Sequence, residues 1–379
     1  MYLTGLSGVI KYSFKKAIGR APKTLPYKNG AFVAFLNASI DRASLPLARQ
    51  FTAKATQTVL ARAGLGMEAE LAKCATLVEE GKEGREGSIG WKGLWIPYQG
   101  GLPIKDPHQK DDSLGAKVDH GDENAFNPSE GSDLVILHAH GGGFIDGNAS
   151  SKVPFWLQVM SKTYVTHGTK ISVLSLEYSL APEHPYPTSF YECLAAYKSL
   201  VVNHHVDPKR VVFCGESAGG SLMQTLVLKI RDEPQLGLSL PAGTVLTSPW
   251  LFTDPKRLEA LSFDILTPPS VEFMMDCYSS GSGFSVAELI ENPSVCPLKA
   301  STLAGLPPML VYIGGAEIFR PSIEEFVKRV QAEGVECQVE LKEDRCHCWF
   351  QNNLASTEED RQQAIAALAS FLNKVQASR

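Results

Sequence analysis

The sequence has no long hydrophobic run: nothing in its 379 residues approaches the ~20 consecutive apolar residues of a membrane-spanning helix. It also lacks a cysteine framework. Its eight cysteines lie scattered at 74, 193, 214, 277, 296, 337, 346 and 348, which excludes a disulfide-stapled scaffold and fits free thiols in an intracellular protein. Cys346-His347-Cys348 is a poor metal motif, because neighbouring ligands rarely converge on one tetrahedral ion and no second Cys/His cluster completes it. Strong overall charge is absent too. Charged residues make up 20% of the chain and the formal net charge is −5, so nothing points to a nucleic-acid partner. The first 20 residues have no continuous apolar core or small-residue cleavage site, which argues against a secretory signal. There are no internal repeats and no low-complexity tracts.

Acids are scarce in one place only. Residues 1–66 carry ten Lys or Arg against the single acid Asp41, leaving 26 basic and 40 acidic residues for the remainder. Within that stretch Leu3, Leu6, Val9, Ile10, Phe14 and Ile18 share one helical face, with Lys11, Lys15 and Arg20 away from most of it. The plainest reading is a helix packed on the body. Peripheral membrane contact and a mitochondrial presequence are the alternatives, since both are basic and poor in acids. The expected location is otherwise cytoplasmic.

With 44% hydrophobic residues the chain can bury a large core. Residues 1–88 read as mostly helical, with helical spacing over 32–36 and 51–63, and 81–90 (GKEGREGSIG) reads as a linker. Residues 91–97 and 101–104 suggest a hairpin around Gly100-Gly101, and 106–132 a polar excursion. Short apolar runs follow at 134–138, 171–177, 210–214, 244–247, 309–313 and 336–341. Helical patterns at 189–203, 217–231, 322–333 and 357–375 alternate with them. Buried strands alternating with helices predict an α/β fold: a mostly parallel sheet covered on both faces. The looser 251–298 segment interrupts the alternation and is placed to fold over the carboxyl edge of the sheet.

Gly215-Glu216-Ser217-Ala218-Gly219 follows one predicted strand and opens a helix. That is the setting of a nucleophile elbow, where a serine on a strained turn needs small neighbours. His138-Ala139-His140-Gly141-Gly142-Gly143-Phe144 follows another strand, with His140 lying 77 residues before Ser217. Three glycines free the backbone amides of Gly141, Gly142 and Gly143 to face a developing oxyanion, with the Ala218 amide as a further donor. The segment does not supply the glycine spacing and later acid of a dinucleotide site. His140 reads as a hydrogen-bonded loop brace, a later histidine being better placed as base.

These two motifs together resemble the hormone-sensitive-lipase branch of the α/β-hydrolases. Tyr178-Ser179-Leu180-Ala181-Pro182-Glu183-His184-Pro185-Tyr186-Pro187 is similar to that branch's Y-R-L-A-P-E-x-x-x-P stretch. The likeness runs on through Ser248-Pro249-Trp250, Pro293-Ser294-Val295-Cys296-Pro297-Leu298 and Leu306-Pro307-Pro308, covering about residues 91–375. The resemblance implies hydrolysis of a small-molecule carboxylic ester, no metal or cofactor, and a helical cap built partly from the N-terminal segment. The implied domains are a cap region at 1–88 and a catalytic domain at 89–379, with 251–292 contributing to the cap. Two departures stand out. Ser179 replaces the usual arginine, and the acid motif G-x-D-x-L-x-D appears as Gly315-Ala316-Glu317-Ile318-Phe319-Arg320-Pro321. Glu317 thereby takes the catalytic acid's place, and its extra methylene requires a slightly different local backbone.

His347 lies 30 residues after Glu317 and 130 after Ser217, in the chain order serine, acid, histidine of this fold. As general base it would take the proton of Ser217 and return it to the leaving alcohol, with Glu317 fixing its tautomer. Asp344 is the rival acid, too close in sequence to reach the ring from the usual side. The expectation is a serine esterase acting on small to medium lipophilic esters through an acyl-enzyme. A deacetylase or amidase using the same triad is the alternative. A non-enzymatic receptor on this fold is disfavoured by the intact triad.

Overall fold

A computed structural model describes residues 45–62, 75–80, 89–98, 126–251, 254–261, 263–351 and 355–379, besides positions 9 and 11. Eight strands form one sheet: β1 (Thr76–Glu80), β2 (Trp91–Ile96), β3 (Leu134–Ala139), β4 (Ile171–Leu176), β5 (Val211–Glu216), β6 (Gly243–Thr247), β7 (Met309–Gly314) and β8 (Cys337–Lys342). Their order is β1-β2-β4-β3-β5-β6-β7-β8. β2 runs antiparallel to β1 and β4, and the strands from β4 across to β8 are parallel. The α/β-hydrolase architecture expected from the sequence is therefore present.

Every residue of β3, β4, β5, β6 and β7 is buried. Such strands need cover on both faces, which is why they read as unbroken apolar runs. Alternate side chains divide between two cores. Val135, Leu137, Val211, Phe213, Met309 and Val311 enter one, whereas Leu134, Ile136, Val212, Cys214, Leu310 and Tyr312 enter the other.

Eight α-helices are described: α1 (Leu45–Arg62), α2 (Val153–His167), α3 (Thr188–Lys198), α4 (Ala218–Asp232), α5 (Pro268–Ser279), α6 (Val286–Glu291), α7 (Arg320–Ala332) and α8 (Glu358–Ala377). α2 and α8 pack together on one face, and α3, α4 and α7 cover the other. Helix starts are locally encoded. α5 opens with a Thr267/Ser270 capping box and α8 with a Thr357/Asp360 box, the latter carrying three acids in its first turn. No helix among the described residues is long and apolar enough to cross a membrane.

The segment expected to be mostly helical contains β1, whose sequence TLVEE pairs residue by residue with β2. Only Val78 of this edge strand is buried, and the other four positions are partly or fully exposed, so there was no apolar run to read. The partners of β2 are β1 and β4. The expected strand at 101–104, the helical spacings at 3–18 and 32–36, and most of the 81–90 and 106–132 segments lie outside the described residues. Helix ends move by a few residues, and the reading over 189–203 closes in a π-turn from Ser199 to Asn203. The 251–298 segment contains α5 and α6.

One buried ion pair fixes the sheet's end to α8. Arg345 donates from Nε and Nη2 to Asp360 Oδ2 at 2.8 and 2.5 Å, both side chains being buried. Lys342 Nζ also lies 3.0 Å from Asp360 Oδ1, so the carboxylate keeps one cation when the arginine is removed. Arg345→Ala should cost about 1.5–3 kcal/mol in urea unfolding, the scale of a hydrogen bond to a charged group. A loss below about 1 kcal/mol, the range of a surface pair, would contradict this account.

Candidate active site

Ser217 stands between β5 and α4 with φ 53° and ψ −119°. A side-chain-bearing residue adopts such angles only when its surroundings enforce them. Here β6 and the turn after it do so: Ser217 N donates to Thr247 O at 3.0 Å, and Trp250 N donates to Ser217 O at 2.9 Å. The flanking chain is packed too closely for any side chain. A Cβ on Gly219 would lie 2.0 Å from Ala139 O, and one on Gly215 would lie 2.3 Å from Gly219 O.

β3 neighbours β5, so the glycine loop at its end arrives beside the serine. Gly142 and Gly143 take φ values of 123° and 63°. Among the described residues, no hydrogen bond engages the Gly142, Gly143 or Ala218 amides. Gly141 packs against Glu216, where an added Cβ would lie 3.1 Å from Glu216 Cγ. His140 braces this loop as expected. It donates from Nδ1 to Gly141 O at 2.7 Å and stacks on Tyr178 at 4.2 Å, and burial pushes its pKa down to about 4. Tyr178 OH in turn donates to His140 O at 2.7 Å.

Glu317 follows β7 and His347 follows β8, and neighbouring strands bring them together. His347 Nδ1 donates to Glu317 Oε2 at 2.8 Å, while Glu317 Oε1 accepts from Gly314 N at 2.9 Å. Asp344 does not take this place. Burial works to lower the pKa of His347, but Cys348 and Glu317 beside it raise it well above its ordinary value. Among the described residues, no hydrogen bond joins the Ser217 hydroxyl to His347. His347 and Glu317 are thus joined in one buried pair.

Several residues escaped the sequence reading. Asp264 is fully buried and accepts from the amides of His347, Ile265 and Ile318. Glu216 lies beneath the elbow, accepting from His138 Nε2 at 2.8 Å with Lys152 Nζ at 3.6 Å. Burial would raise its pKa, but His138 and Lys152 outweigh that and hold it at about 2. The signal for this network was in the period of the strands: His138 is in register with Ser175 and Cys214, and alternate residues share a face. Arg49 of α1 donates to Ile145 O and Ala181 O at 2.8 Å and makes two bonds to Glu183, pinning the helix onto the glycine loop. At Ser179, amide and hydroxyl both meet the Glu192 carboxylate. Every described cysteine is a free thiol, and no cluster of three or more His, Cys, Asp or Glu among the described residues is arranged to hold a metal.

The family pattern of the α/β-hydrolase fold matches residues 136–351, more than half of the chain. The chain belongs to the α/β-hydrolase fold family. Its resemblance to the hormone-sensitive-lipase branch is borne out by relatives. An esterase of Acinetobacter venetianus is 30% identical over 217 residues, covering 55% of this chain and 64% of that protein. Mouse hormone-sensitive lipase is 32% identical over 165 residues, 40% of this chain and 19% of the lipase. The chain thus spans less than two thirds of either relative. Among solved structures, a bacterial heroin esterase superposes with a TM-score of 0.69 at 23% identity, over 94% of this chain and 99% of that one. A hormone-sensitive lipase from a metagenome library gives 0.63 at 22% identity, over 91% and 98%. At these identities the superpositions establish the α/β-hydrolase fold.

The close approach at the elbow is directly testable. Gly219→Ala sets a methyl against the β3 backbone and should cost about 1–3 kcal/mol in urea unfolding, the usual penalty of overpacking. An unchanged unfolding midpoint would show that β3 and the elbow are not in contact.

Proposed function

We propose that this chain is a serine esterase in which Ser217 is the nucleophile, His347 the general base and Glu317 the acid that orients it. The observation that carries the reading is the hydrogen bond from His347 Nδ1 to the buried Glu317 carboxylate, in chain order after a strained serine. Ser217 Oγ attacks the ester carbonyl as His347 takes its proton. Negative charge then develops on the carbonyl oxygen, where the Gly142, Gly143 and Ala218 amides, which no hydrogen bond among the described residues engages, would donate to it. Gly141 supports this loop by its contact with Glu216. The imidazolium next protonates the leaving alcohol, and water repeats the cycle to release the acid. His347 must come within reach of the hydroxyl for the first step, a contact that often tightens only with substrate bound.

A buried aromatic cluster backs the His347 ring. Phe319 meets the His347 ring edge-on at 5.3 Å, Trp250 stacks on Phe319 at 5.8 Å, and Phe144 lies 5.5 Å from Trp250. We place the cap over this cluster, with α1 and the 251–292 segment as its parts. The Acinetobacter relative is named an esterase and the mouse relative a lipase, in keeping with ester cleavage. No observation favours an amide substrate or a non-enzymatic receptor.

Ser217→Ala should abolish hydrolysis of p-nitrophenyl butyrate and labelling by a fluorophosphonate while the protein stays folded; retained turnover would sink the mechanism. An acyl series from acetyl to palmitoyl esters then measures the pocket.

The pH profile checks the base. His347 works only when neutral, and its pKa is raised, so kcat/KM should fall as pH drops through a midpoint above the ordinary ~6.5. Glu317→Gln removes a charge that favours the imidazolium. It should bring that midpoint down and cut kcat by roughly 10²–10⁴. A Glu317→Gln enzyme with the original midpoint and rate would assign the acid's role elsewhere.

A further inference from the structure

We propose that Asp264 is a positioning residue for the acid and base, tying the two catalytic loops together and setting a second carboxylate beside the imidazole. The proposal rests on the assignment of Glu317 and His347 made above. Asp264 comes from neither loop. It belongs to the segment between β6 and β7, just ahead of α5. One oxygen, Oδ1, accepts from His347 N at 2.9 Å and from Ile265 N at 2.8 Å; the other, Oδ2, accepts from Ile318 N at 2.8 Å. One fully buried side chain therefore grips the backbone of the base itself and of the residue after the acid. A carboxylate suits this place because it only accepts, and all three groups facing it here are donors.

The charge has a second consequence. The ionisable groups facing Asp264 are the His347 ring, the Glu317 carboxyl and the Cys346 thiol. Burial first, and then Glu317, push Asp264 up, while His347 and the backbone amides oppose them; the balance is about 6. Above that pH the group is ionised and favours the imidazolium that forms when Ser217 gives up its proton. The same segment reaches the third part of the machinery. A Cβ on Gly143 would lie 1.8 Å from Met274 Sδ, so α5 rests directly on the glycine loop. The cap segment therefore touches the loops of acid, base and oxyanion at once, and Asp264 is its only ionisable contact with the first two among the hydrogen bonds described above.

Asp264→Asn is nearly isosteric but removes the charge and turns an amide donor toward a backbone N–H. With p-nitrophenyl butyrate, kcat should fall by about 10- to 100-fold, the scale of a slightly misplaced catalytic group. KM should stay within about 2-fold, and the acid limb of kcat/KM should move to lower pH. General loosening of the cap would instead raise KM and leave the limb in place. An unchanged kcat or an unmoved limb overturns the proposal. If the variant does not fold, amide hydrogen exchange in the wild-type protein decides: His347 and Ile318 should both be strongly protected, and fast exchange at either overturns it. Fluorophosphonate labelling separates the two levels. If the wild-type enzyme is neither labelled nor active, the triad assignment falls. If it is both and Asp264→Asn matches it, only the role of Asp264 falls.

Discussion

The turn at Ser217 holds its backbone at φ 53° and ψ −119°, and the neighbouring strands are arranged around keeping it there. Angles of this kind cost on the order of 1–3 kcal/mol and persist only where packing over-determines them. Two strands supply that packing. The end of β3 presses its carbonyls against Gly219, and β6 with the turn after it hydrogen-bonds the serine through both its amide and its carbonyl. This works because β5 lies between β3 and β6 in the sheet. The same strand order delivers the glycine loop to one side of the serine and Trp250 to the other. Strand order, local strain and site geometry are thus one constraint seen at three scales.

A second theme is the amount of charge kept out of water near the strand ends. Glu216 with His138 and Lys152, Glu317 with His347, and Arg345 with Asp360 are buried groups with partners. Buried pairs contribute little net stability, because desolvation consumes most of their attraction, but losing one partner is severe. Their consequence is geometrical. Each pair joins two chain segments distant in sequence: β3 to β5, the acid loop to the base loop, and the turn before His347 to α8. The loops at the strand ends are held by directional bonds, whereas apolar packing holds the sheet. Asp264 belongs with this group, since it holds backbone amides of two loops.

Much of this was legible in the sequence, for physical reasons that also explain what was missed. The parallel strands showed as apolar runs because both their faces are buried, and Ser217 showed because its turn demands glycine on either side. Gly142 and Gly143 were readable as part of a glycine run, and both take positive φ. Glu317 was readable only through family resemblance, since nothing in composition distinguishes it from Asp344. β1 was missed because an edge strand with one buried residue has no apolar signature. Asp264 was invisible, because a carboxylate that binds backbone amides leaves no pattern of side-chain types to recognise. Arg49 registered only as part of a basic N-terminal stretch, although it makes four bonds to the loops around the site.

The glutamate at position 317 shows how the fold holds a long carboxylate beside a histidine. A carboxyl one methylene farther from its backbone needs its loop drawn back or turned. The acid loop here lies tight against the segment before His347. A Cβ on Gly315 would fall 2.3 Å from Glu343 Cα, and one on Gly314 would fall 2.4 Å from Cys346 O. Glu317 then folds back so that Oε1 accepts from Gly314 N while Oε2 faces the imidazole. The carboxylate is thus tied to the glutamate's own loop. A carboxylate anchored in this way is fixed in direction as well as in distance, and fixed direction is what a histidine needs to hold one tautomer through a cycle of proton transfers.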